Sequence, residues 1–304
     1  MIAKIYQALG IALLLSVSPA RAAITCSIGS PGFNALYDFI TATPNDNMSS
    51  YTINCSRLAT DATKLNYIAF TDDGLYNNGA NNRAKLTTAN QFIKYDFFTD
   101  ATFGTNWSKS TKCIIGSIDF GPSSLTASQT KPYFFRIPAA QTGIPQGSYL
   151  DTVTMYASYG STTCASNATK DTSGSFTVAI SNVPACEISV PPGNVAFTYT
   201  AFQATAATAN TTFSARCTTN LAYTMALNGT PTSGVYPGVV SGLSYGLSIG
   251  TTAGGAAILP GTSLSGNGNA VPYYINGTMP ANQAGSCASA NCTLSDPRTL
   301  TISF

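Results

Sequence analysis

The residue types that carry most protein chemistry are thinly spread along this chain. There is no histidine, which removes Ser-His-Asp and Cys-His nucleophilic catalysis. Asp72 and Asp73 stand together in "DDGLYNNGANN" and could serve as acid and base for glycoside hydrolysis or as oxygen ligands for calcium. Their Gly and Asn neighbours make them read instead as solvated turn residues. The eight cysteines include no compact metal-binding pair, and "CASANC", with Cys287 and Cys292 five positions apart, reads as a hairpin clip. The Gly-rich stretches "GTTAGG" and "NGNA" lack the Lys and the strand-to-helix setting of a phosphate loop. These patterns point away from an enzyme, a metal and a cofactor, and toward a protein that works through contact surfaces.

Residues 1–22 carry Lys4, the apolar run "LGIALLLSV" and the small-residue site at Ala20 and Ala22, the pattern of a cleaved export signal. All eight cysteines follow it, as suits an oxidising compartment with up to four disulfides. Removing Lys4 and Arg21 from the fourteen basic residues leaves twelve, equal to the twelve acidic ones. No net field therefore draws the mature chain to nucleic acid or to anionic membrane.

Short runs of Thr, Tyr, Val and Phe broken by Gly, Pro and Asn predict an all-β chain, long enough for two cores. Cysteine spacing suggests that one plan is used twice: Cys26 precedes Cys55 by 29 positions, and Cys186 precedes Cys217 by 31. "YFFRIPAAQTG" is echoed by "YYINGTMPANQAG", and "DTVTMYASY" at 151–159 by "DPRTLTISF" at 296–304. The expectation is two tandem β-sandwiches, an N-terminal domain over 23–180 and a C-terminal one over 185–304, joined by a linker at 181–184. Expected disulfides are Cys26–Cys55, Cys113–Cys164, Cys186–Cys217 and Cys287–Cys292, although four cysteines per domain permit three pairings each.

The two copies end differently. In the first, a further run "SGSFTVAIS" alternates Phe176, Val178 and Ile180 with small polar residues, as a sealing strand requires. The second has no such run after Phe304. A sandwich without its edge strand exposes core and unpaired backbone, and a strand from another polypeptide corrects both. The alternatives are a six-stranded domain complete as it stands, or an edge supplied by another segment. If cleavage follows Ala22, only three residues precede Cys26; such a molecule receives a strand but has none to give, which places it at one end of a head-to-tail polymer.

"FFRIPAAQTGIPQGSYLDTVTMYASY" resembles the C-terminal signature of the spore coat protein U domain family, through Arg136, Ile137, Pro138, Gln141, Gly147, Tyr149 and Asp151. "IKYDFFTD" with Trp107 resembles the family's tyrosine strand, and the second copy keeps Tyr245, Pro280, Gln283 and "TLTISF" while departing at "CASANC". The family includes subunits of archaic chaperone-usher pili. The resemblance implies a two-domain tip adhesin whose C-terminal immunoglobulin-like domain is incomplete. Its implied partners are a periplasmic pilus chaperone, an outer-membrane usher and the N-terminal donor strand of the next subunit, with export to the periplasm and display at the cell surface. Leu300, Ile302 and Phe304 are then expected to line the strand-acceptor groove. A structural coat or fibre subunit that binds no receptor is the alternative within the same fold.

Adhesive residues are sought among apolar side chains set in turn-forming loops, because such loops face water. Leu75 and Tyr76 in "DDGLYNNGANN", Phe103 and Trp107 in "DATFGTNWSKS", and Ile144 in "QTGIPQG" meet that criterion. Gathered at one end they would form an apolar tip for a hydrophobic abiotic surface, or stack on the sugars of a host glycan. The bland reading of Trp107 is a plug in the core.

Overall fold

The computed structural model describes residues 24–41, 43–79, 82–286 and 292–304. The expected signal segment and Cys287 therefore lie outside the described residues, Cys287 being half of the expected Cys287–Cys292 pair. Among the described residues there are eighteen strands and no helix. The first ten are β1 (Thr25–Gly29), β2 (Phe33–Tyr37), β3 (Asn45–Ser56), β4 (Lys64–Thr71), β5 (Asn82–Leu86), β6 (Phe92–Phe98), β7 (Ile114–Asp119), β8 (Thr126–Ile137), β9 (Gly147–Tyr159) and β10 (Thr172–Asn182). The remaining eight are β11 (Cys186–Val190), β12 (Ala207–Cys217), β13 (Ala222–Leu227), β14 (Tyr236–Val240), β15 (Leu243–Gly250), β16 (Leu264–Ser265), β17 (Ala270–Met279) and β18 (Leu300–Ser303).

Alternation explains why these runs are strands. Along β9, Tyr149, Asp151, Val153, Met155 and Ala157 point inward with exposed or half-buried residues between them, and along β10 Phe176, Val178 and Ile180 do the same. Each strand thus has one face to bury, and two sheets packed face to face bury both. In the first sandwich β1, β3, β8 and β6 form one sheet, β7, β4, β9, β10 and β2 form the other, and β5 joins β6 to β9. The second has β11, β12, β17, β15 and β14 in one sheet and β16, β13 and β18 in the other. The two hydrophobic cores are separate clusters.

Strand for strand the second order repeats the first. The ladder β1-β3-β8-β6-β5 corresponds to β11-β12-β17-β15-β14, and β7-β4-β9 to β16-β13-β18. Smaller details are repeated too. The Gln141 side chain clamps both backbone groups of Lys94 while its N–H donates to Tyr37 Oη at 3.0 Å; Gln283 does the same to Ser244 and Tyr199, at 2.9 Å. Disulfides join Cys26 to Cys55 and Cys186 to Cys217, the pairs whose spacing repeats, and Cys113 to Cys164, one of the pairings left open. The sandwiches touch where Arg216 donates to the Ile40 carbonyl at 2.8 Å and lies over the Phe39 ring, and where Pro145 bridges Thr219.

Candidate functional site

The second sandwich differs from the first by what is missing. In the first, β10 lies between β9, to which it runs antiparallel, and β2, to which it runs parallel. It also packs so closely on β1 that a Cβ at Gly174 would sit 2.1 Å from the Ile28 carbonyl oxygen. In the second sandwich, among the described residues, β18 pairs with β13 alone. The counterpart of β2, residues 194–200, has no ladder, yet Val195, Phe197 and Tyr199 alternate half-buried with exposed neighbours. The segment has the alternating burial of a strand but, among the described residues, no ladder.

Burial gives the same contrast. Phe33, Ala35 and Tyr37 on β2 are buried, whereas Val195, Phe197 and Tyr199 are only partly covered. Ile28 on β1 is 5 % exposed and Ile188, its counterpart on β11, 36 %. Leu300 and Ile302 are half-buried against the second core, and Phe304 is exposed. The residues that correspond to those around β10 in the first sandwich are thus less covered in the second. The sequence reading singled out the β18 side and missed Ile188 and Val195. Their signal is visible in retrospect: Val195, Phe197 and Tyr199 alternate like β2 but have no complementary run.

The tyrosine and aspartate of the repeated signature meet in both halves. Asp151 is buried on β9, where its carboxylate accepts from Tyr95 Oη at 2.5 Å, the Leu75 N–H at 2.9 Å and the Thr152 N–H at 2.8 Å. Burial pushes its carboxyl above the ordinary range, against the pull of these donors. The bonds pin the β4–β5 loop to β9, and Gly74 (φ +76°) is required there, since a Cβ would fall 2.1 Å from Asp151 Oδ2. Tyr245 donates likewise to Asp296, with Arg298 donating to both. Here the Tyr245 hydrogen bond, and then Arg298, hold the Asp296 carboxyl below its ordinary value. Asp72 accepts from the Gly74 N–H of its own turn and from the Thr154 N–H of β9, each 3.0 Å away, and Asp73 pairs with Lys109 at 3.0 Å. Both act as turn and tether residues.

The expected adhesive residues do not form one tip. Leu75 is 69 % exposed, and Tyr76 lies half-buried against Phe92 and Lys85. Phe103 packs on Phe98 and Phe134 beneath the Arg136 guanidinium, 4.1 Å from its ring centre. Trp107 corrects the expectation: it is 1 % exposed, its ring stacks on Tyr51, and Nε1–H donates to the Ala69 carbonyl at 2.8 Å. Ile144 corrects it as well, being buried next to Pro145 at the contact with the second sandwich, where Asn182 donates to its carbonyl. Neither side chain can offer area to a surface.

The end of the first sandwich away from that contact carries two apolar residues that the sequence reading passed over. Leu58 (57 % exposed) follows β3 and Leu125 (49 %) precedes β8, and the Arg57 N–H bonds the Leu125 carbonyl at 2.9 Å, so their backbones adjoin. The Arg57 side chain is itself buried. It donates to the carbonyls of Ser124 at 3.0 Å and Asp61 at 2.9 Å, and to those of Leu58, Gly121 and Pro122 at 3.4 Å, with its guanidinium over Phe120. Charge-assisted bonds of this kind fix both loops. "SRLATDATK" and "FGPSSLTAS" each place one Leu among turn formers, the same signal that picked out Leu75.

The fold is a tandem of immunoglobulin-like sandwiches, the first with β10 between β9 and β2 and the second, among the described residues, with no strand paired to the corresponding edge of β18. The chain belongs to the family of the Spore Coat Protein U domain, whose profile matches residues 11–156 and 172–285. Its structure is similar to a chain of the chaperone–tip adhesion subunit pre-assembly complex of archaic Csu pili from Acinetobacter baumannii, with 14 % identity, TM-score 0.47, and coverage of 92 % of this chain and 100 % of that one. It is also similar to the CupB6 tip adhesin from Pseudomonas aeruginosa, with 12 % identity, TM-score 0.45, and coverage of 93 % and 96 %. No curated protein matches by sequence.

Proposed function

We propose that this protein is an adhesive subunit of a chaperone-usher pilus, exported to the periplasm and then displayed at the fibre tip. The observation that supports the reading is that, among the described residues, β18 pairs with β13 alone and 194–200 has no ladder, whereas in the first sandwich β10 pairs with both β9 and β2. A chaperone strand takes the corresponding place in the second sandwich first; at the usher the donor strand of the next subunit replaces it. That donor runs antiparallel to β18 and parallel to 194–200, as β10 does between β9 and β2. It satisfies the free edge and covers Ile188, Val195, Phe197, Leu300 and Ile302 in one step.

In the same reading the domains divide as 23–180 for adhesion, 181–184 as linker and 185–304 for assembly. The first sandwich already contains its closing strand, so it takes no donor and is free to present a surface. Leu58 and Leu125 on the braced outer loops, and Leu75 on the flank, supply apolar area. Burying it against a hydrophobic surface or the apolar face of a sugar contributes about 25 cal/mol per Å².

The test is to append a linker and the segment 173–181 after Phe304 and to compare solubility and melting with the unextended chain. The extended chain is expected to be monomeric and more stable. Equal solubility and melting temperature would refute strand acceptance. Adsorption of the extended chain to polystyrene separates adhesin from structural coat subunit, and failure to bind polystyrene or any glycan would favour the latter.

A further inference from the structure

A cavity of about 260 Å³ opens on the flank of the first sandwich, between the β4–β5 and β6–β7 loops. Its floor is the outward face of β6. Tyr95 and Phe97 point into the core, so Asp96 between them points out into the cavity. Asn82 on the paired strand β5 lines it while only 6 % exposed, and Asn77, Asn106, Ser108 and Lys112 complete the polar wall. Trp107 and Phe97 also border it, but both are buried in the aromatic core, so they form a base and not a stacking platform.

The walls are held in place before any ligand arrives. Lys109 ties the two loops together through its ion pair with Asp73 and through its N–H on the Thr71 carbonyl at 2.8 Å. Asp100 accepts from the N–H groups of Thr102, Gly104 and Thr105 and fixes the turn that precedes Asn106. Such bracing lowers the ordering cost of binding.

Charge and chemistry select the ligand class. Asp73 is matched by Lys109, and Asp96 lies within electrostatic reach of Lys112 and Lys94, so the cavity favours neither a cation nor an anion. What it offers is a half-buried carboxylate acceptor, three amides that both donate and accept, and the ammonium of the exposed Lys112 at its rim. A compound with many hydroxyls, each both donor and acceptor, can replace the water held by such a lining. The volume lies just below the range of about 300–1,000 Å³ usual for drug-sized pockets, which suits one sugar ring and excludes a buried oligosaccharide. We infer that this cavity binds a terminal neutral monosaccharide, with Asp96 and Lys112 as its charged hydrogen-bonding pair. The inference is independent of strand acceptance and of apolar adsorption.

The full chain is titrated with free galactose, mannose, fucose, N-acetylglucosamine, glucuronic acid and sialic acid, up to about 20 mM, by saturation-transfer and ligand-observed NMR. At least one neutral sugar is expected to saturate. Asp96→Asn and Lys112→Ala should each weaken it tenfold or more, with melting temperatures at or above that of the parent for Asp96→Asn. Saturation by no sugar, by the acidic sugars alone, or equally by parent and both variants would overturn the proposal. Polystyrene adsorption of the same samples reports on the apolar loops, so failure of one reading is distinguishable from failure of the other.

Discussion

Asp96 makes a stability argument that can be worked through. Its carboxyl is pushed from the ordinary 3.8 up to about 6, chiefly by burial, while the Asn82 N–H, Lys112 and Lys94 pull the other way and fall short. A proton is thus held more tightly in the folded chain than in the unfolded one. Between the two values the folded state binds more protons, so stability falls as pH rises through that window and the full cost is present above about pH 6. Taken at face value the shift corresponds to about 3 kcal/mol. Asp96 is only half-buried, so solvent screening reduces this to about 1–2 kcal/mol.

Asn has the same shape, keeps an oxygen for the Asn82 N–H and carries no charge. Asp96→Asn is therefore expected to stabilise the chain by about 1–2 kcal/mol near neutral pH, a rise in melting temperature of about 2–8 °C for a domain of this size. The gain should shrink as pH falls from about 6 to 4 and vanish below about pH 3, because the parent carboxyl is then protonated in both states. Thermal melts of parent and variant across that range check it. A variant no more stable than the parent at neutral pH, or one whose advantage persists in acid, would refute the reasoning.

The remaining expectations are simpler. Trp107→Ala removes a fully buried ring and orphans the Ala69 carbonyl; chemical denaturation should register a loss of about 3–5 kcal/mol. Asp151→Ala strands the buried Tyr95 hydroxyl and leaves the Leu75 N–H only its bond to the Thr152 carbonyl at 3.1 Å; a loss of about 1–3 kcal/mol is expected, with faster hydrogen exchange in the β4–β5 loop. Leu58→Ser combined with Leu125→Ser should leave stability within about 0.5 kcal/mol and lower adsorption to polystyrene; unchanged adsorption would remove these loops from the adhesive surface. Ile302→Asp puts a charge on a position already half-buried against the second core, so it should lower the melting temperature of the unextended chain and also abolish the gain from an appended strand.

Much of the architecture is legible in the linear chain because it is written in local alternation and in spacing. The β class and the repeated plan follow from period-two patterns and from Cys26 and Cys55, and Cys186 and Cys217, at matching intervals, whereas Cys113 with Cys164, one of the pairings the sequence leaves open, is settled only by the fold. Which loop side chains reach solvent does not follow, because burial depends on contacts with residues far away in sequence. Trp107 looks like Leu58 when read locally, an apolar residue among turn formers, yet Tyr51 and the Ala69 carbonyl draw it inward while Arg57 holds the Leu58 loop out. Ile144 is covered where the second sandwich meets the first. The flank cavity is likewise tertiary: Asn77, Asn82, Asp96 and Lys112 come from two strands and two loops, and only the pairing of β5 with β6 and the Asp73–Lys109 tether bring them to one place.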